Sequence, residues 1–182
     1  MEKVQKKLSL IFGITCIVLS ALVMLSSIIF VFSQLDVDII PIDIAEKTFI
    51  ILSGPFYYCL GMHIPYVGGF FSAFLVVFLL VSGKRFLNSQ NKPLSKGTCI
   101  SSLVFGALFL VISFVGFGVF FSEDFDEEYG LVRFLSIIVF IFTTIAPVAM
   151  YVFNLVSGSK MNKVEEATAE VAATTENNGE NN

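Results

Sequence analysis

Four long apolar runs, with almost no charge inside them, separate three clusters of bases from two clusters of acids along this chain. Lys3, Lys6 and Lys7 precede the first run. Lys84, Arg85, Lys92 and Lys96 lie between the second and third, and Lys160 and Lys163 follow the fourth. The intervening gaps carry Asp36, Asp38, Asp43 and Glu46, then Glu123, Asp124, Asp126, Glu127 and Glu128. Bases that flank alternate membrane segments set their orientation, because cationic loops stay on the cytoplasmic side. The pattern predicts an all-α membrane protein, a four-transmembrane-helix bundle in the cell membrane with both termini cytoplasmic. Of the 11 bases, only Lys47 and Arg133 depart from it.

The predicted spans are residues 8–32, 66–83, 98–121 and 134–156, within a transmembrane domain of residues 1–160. The first run is long enough to cross a hydrocarbon core of about 30 Å, and it lacks a small-residue cleavage site, so it reads as a retained anchor rather than a signal peptide. Composition agrees, with 55% hydrophobic and 14% charged residues, against about a quarter charged in soluble domains. Residues 161–182 are acidic, repetitive and poor in bulky apolar side chains. A segment of that kind buries too little to order itself, so a disordered cytoplasmic tail is predicted.

The second run is too long for one span and too short for two with a loop. Two crossings there would also place Lys84 to Lys96 on the wrong side. Residues 44–53 are therefore predicted as an outer interfacial helix, with Asp43 as its cap, Glu46 completing a capping-box pair and Gly54-Pro55 as its stop. A re-entrant segment packed against the bundle is the alternative. A weak repeat links Phe78-Leu79-Leu80-Val81-Ser82-Gly83 to Phe153-Asn154-Leu155-Val156-Ser157-Gly158. It suggests two parallel helical hairpins, although a glycine cap followed by a base recurs at any cytoplasmic helix end.

Chemistry inside a membrane usually needs ionisable groups at depth, and the predicted spans carry none. No catalytic residue, cofactor or metal site is therefore predicted. His63 has only Cys59 nearby as a further ligand, and the acids at 123–128 lack the alternating order of a calcium loop. Ser and Thr hydroxyls can bond their own helix carbonyls. Thr143 and Thr144 stand out because Pro147 frees the Thr143 carbonyl, so a kink is predicted there with a nearby hydroxyl serving that group. Small residues spaced for helix packing are Gly68 with Ser72, Gly69 with Ala73, and Ser102 with Gly106. Opposite-side placement of Cys59 excludes a disulfide to Cys16 or Cys99.

The layout is similar to that of claudin-like and tetraspanin-like proteins. The first outer segment has neither the Trp and paired Cys of the former nor the Cys-Cys-Gly of the latter, so it identifies no family. The expected function is non-enzymatic and accessory or structural, exerted through helix contacts in the lipid bilayer. Its expected partner is a second copy (a homo-oligomer) or another membrane protein, and nucleic acid is not expected. The other class in view is an oligomeric transporter or channel subunit for small solutes.

Overall fold

The computed structural model describes residues 2–33, 41–60, 65–90, 94–122 and 129–157, and every regular element among them is helical. These are α1 (Glu2–Ser33), α2 (Ile42–Leu60), α3 (Pro65–Asn88), α4 (Lys96–Ser122) and α5 (Tyr129–Phe140), followed by a π-helical turn (Ile141–Ile145) and α6 (146–157). Three helical stretches are long and apolar enough to cross a membrane: Val4–Ser33, Lys96–Gly118 and Tyr129–Ser157. Their composition explains the fold class. Helices satisfy all backbone polar groups within the segment, the condition apolar surroundings impose. The predicted tail, His63 and the acids at 123–128 lie outside the described residues.

The long helices pack in alternating directions. Along α1 and α3 the contacts run in opposite order: Ser9 with Ser89, Gly13 with Gly83, and Ser27 with Ser72. Phe78 of α3 meets Phe109 of α4 while Arg85 meets Ser102. Gly106 of α4 faces Val148 of α6, and Phe117 meets Phe140. One end of the molecule therefore gathers the start of α1, the end of α3, the start of α4 and α6. It also gathers the exposed Lys6, Lys7, Lys84 and Lys96, and we call it the basic end. At the opposite end α1 and α4 finish and α3 and α5 begin.

Several boundaries differ from those read in the sequence. Asp43 is not a cap: α2 starts one residue earlier, with the amides of Ile44 and Ala45 donating to the Pro41 carbonyl at 3.0 and 3.1 Å. Asp43 sits in the first turn instead, where a carboxylate suits the helix dipole. Gly54-Pro55 does not stop α2, which runs on to Leu60. Proline removes one backbone bond, and the helical bonds on either side of it carry the helix on. Gly83 does not cap α3 either, since the helix continues to Asn88. Ser95 caps α4, its hydroxyl accepting from the Thr98 amide at 3.2 Å.

The largest departure is the packing of α2. Expected as an outer interfacial helix, it touches α1, α3, α4 and α5. Phe49 and Ile50 are 0% exposed, and they join Phe30, Phe117, Val132 and Phe140 in one cluster. Ala45, Phe49 and Ser53 recur at helical spacing on this protein-covered face. A second cluster, toward the basic end, is built from α1, α3, α4 and α6 around Leu75, Leu79, Phe86 and Tyr151.

Candidate functional site

Two glycines face each other where α1 meets α3. A Cβ on Gly83 would stand 2.9 Å from the Gly13 carbonyl oxygen and 2.7 Å from Ile17, and one on Gly13 would stand 2.7 Å from Leu87. Only residues without a Cβ allow this spacing, which is how small residues bring helices together in lipid. The sequence reading missed the pair because it sought two small residues four apart on one helix. A lone glycine within a long apolar helix was the available signal, since it costs about 1 kcal/mol relative to Ala and needs a reason.

The residues singled out for packing divide. Ser72 is buried, its hydroxyl 2.7 Å from that of Ser27 on α1. Ser102 is buried and accepts from Arg85 Nη1. Gly106 is held within the chain as well, where a Cβ would stand 2.5 Å from Val148 Cγ2. Ala73, by contrast, is exposed. It borders a groove of about 390 Å³ between α1 and α3, flanked by Met24, Ile28, Val76 and Val77. Gly68 and Gly69 fall within α3, but what they pack against lies outside the described side chains.

Thr143 and Thr144 lie in the π turn, and Pro147 follows it by two residues. The Ala146 amide donates to the Ile141 carbonyl, five residues back. One residue has thus been accommodated in the turn beside a proline that has no amide hydrogen to give. The predicted hydroxyl service of the Thr143 carbonyl takes a different form. Thr143 Oγ1 donates back to the Phe140 carbonyl at 3.5 Å. Thr144 Oγ1 is buried without a hydrogen-bond partner, as is Ser113 Oγ on α4. Both residues are 0% exposed. Ser113 lies between Gly106, which meets Val148, and Phe114, which meets Phe140, so both hydroxyls stand at the level of the π turn.

Most other hydroxyls are spent locally or between helices. Ser20, Ser26, Ser33 and Ser53 donate to carbonyls of their own helices. At the basic end, Ser89 donates to Ser9 at 3.0 Å and Gln5 Nε2 to Asn154 Oδ1 at 3.3 Å. The Tyr151 hydroxyl donates to Ser82 at 3.0 Å. The two bases that broke the charge pattern rest on rings. Lys47 Nζ lies 5.6 Å from the Tyr129 centroid, and the Arg133 guanidinium 5.7 Å from that of Phe121.

Compared with known protein families, with curated proteins and with solved structures, the chain finds no match. Its function is read from its own geometry.

Proposed function

We propose that this is a multi-pass protein of the cell membrane with four crossings and cytoplasmic termini. In this reading it is non-enzymatic and works through helix contacts with a second copy of itself. The 24 residues of α3 would extend about 36 Å at the helical rise of about 1.5 Å per residue, enough to serve as the fourth crossing. The alternating helix directions and the bases gathered at one end support the orientation.

The groove beside Ala73 carries the functional reading. It lies on the α1–α3 seam, is almost wholly apolar, and is bordered by Ala73, which faces outward. Its lining has no charged side chain to hold a lipid headgroup, whereas a helix gains close packing there. Energy transfer between differently labelled copies in vesicles tests it. Transfer is expected in the native protein and in Leu108→Phe, which changes an exposed residue of α4, and is expected to vanish in Ala73→Phe. Transfer that persists in Ala73→Phe, or is absent throughout, rejects self-association by this face. A different membrane protein recovered only with the native groove would transfer the role to that partner.

The π turn supports a second reading, an oligomeric transporter or channel subunit for small solutes. Two partnerless hydroxyls at one level are groups a passing solute or water could use. Solute or ion flux in reconstituted vesicles, lost in Thr144→Val, would favour it over the first.

A further inference from the structure

A second groove, of about 210 Å³, runs between α3 and α4 toward the basic end. Its rim is formed by Phe74, Val77, Val81 and Phe105, with Val77 57% and Phe105 61% exposed. Its floor is Phe78, Phe109 and Tyr151, all buried. The groove therefore opens sideways, onto the surface that acyl chains would cover. From Phe74 to Arg85 it follows α3 for about 16 Å at the helical rise.

One end differs chemically from the rest. Arg85 is half-buried there and donates through Nη1 to Ser102, with Ser101 beside it. A guanidinium carries five N–H donors in a planar fork that matches phosphate oxygens, and one hydroxyl takes only one of them. The groove thus offers a cationic, hydroxyl-lined head and an aromatic, aliphatic stem.

We infer that this groove is a binding site for one anionic phospholipid of the leaflet at the basic end. Its phosphate would meet Arg85, Ser101 and Ser102, and an acyl chain would lie along Val81, Val77 and Phe74. Charge complementarity selects the anionic headgroup, since basic pockets between helices on the cytoplasmic side suit such lipids. The apolar length selects a lipid over a free anion, which could use only the Arg85 end. The site shares Val77 with the α1–α3 groove, but its headgroup contacts and Val81 lie on the α4 side of α3, outside the surface proposed for self-association.

The test is titration of phosphatidylglycerol and phosphatidylcholine into the delipidated full-length protein in neutral detergent, counting bound lipids by native mass spectrometry. One phosphatidylglycerol should bind about tenfold more tightly than phosphatidylcholine, the scale of a charge-assisted hydrogen bond. Arg85→Gln should abolish the preference, Arg85→Lys should weaken it, and Lys84→Gln should leave it. Val81→Trp, which fills the stem and leaves the guanidinium, should lose the lipid. That variant also keeps the test decisive should Arg85→Gln fail to fold. Equal preference in a folded Arg85→Gln, or unchanged binding in Val81→Trp, overturns the proposal. Displacement by millimolar inorganic phosphate with no dependence on acyl length would reassign the groove to a free anion and overturn it too.

Discussion

The two ends of the molecule are joined by different means. At the basic end, polar side chains link the long helices: Ser9 with Ser89, Gln5 with Asn154, Arg85 with Ser102 and Tyr151 with Ser82. At the opposite end α2 lies among the other helices and the links are mostly rings. Phe30 and Phe49 stack with centroids 4.5 Å apart and planes at 4°, and Phe117 meets Phe140 edge-on at 5.0 Å. A polar bond to α2 runs from the Ser136 hydroxyl to the Ile50 carbonyl at 3.2 Å. The difference shows two ways to hold helices where apolar burial gives no advantage over lipid. One relies on directed bonds between backbones in close approach, the other on shape-matched aromatic packing around an added helix.

The largest expected effect would break the first mode where Gly13 faces Gly83. Gly83→Leu forces a side chain against the Gly13 carbonyl and Ile17, and should lower stability by about 3 kcal/mol, the upper part of the overpacking range. Gly118→Leu, where a Cβ meets nothing within 4 Å, should not lower it, since a helical glycine there only costs propensity. Denaturant titration in mixed micelles, followed by circular dichroism, measures both. Equal losses would mean that the α1–α3 approach is not a stability determinant.

A smaller effect should come from the ring-packed end. Phe49→Ala removes a fully buried ring from the α2 cluster. Without the water-transfer contribution of a soluble core, we expect about 2 kcal/mol, below the 3–5 typical there. Hydrogen exchange should then rise at residues 42–53 and 129–136 while the basic end stays protected. Uniform loosening of both ends would show that α2 supports the whole molecule rather than one end.

Smallest is the effect of a single directed bond. Tyr151→Phe removes the hydroxyl that reaches Ser82 and should cost about 0.6 kcal/mol, the average for hydrogen bonds between membrane helices. A loss as large as that of Phe49→Ala would make the polar links the dominant restraint at the basic end. It would invert the ranking of the two modes.

The legible parts of the chain were those marked by charge or by chain breaks. The helix of the second run begins at Pro65, one residue before the expected span, because proline suits a first helical turn. The helix continues past Gly83 to Asn88, and a glycine before two bases looks like a cap until Gly13 is seen opposite it. Gly106 and Ser102 could be recognised as packing residues, but not as internal to the chain. Arg85 was read only as an orientation signal, and nothing local revealed its hydrogen bond to Ser102.

By itself, then, the sequence determined that the chain is helical and which segments are apolar enough to cross a membrane. It also determined which helix ends share a sign of charge, because backbone satisfaction and charge placement are properties of each segment alone. Only the tertiary structure decided which face of each helix looks inward. α4, apolar on all sides, has no polar stripe to reveal its rotation. The enclosure of α2, the pairing of Gly13 with Gly83 and the level of Ser113 with Thr144 depend on that rotation and on partners far along the chain. They became visible only once the helices were packed.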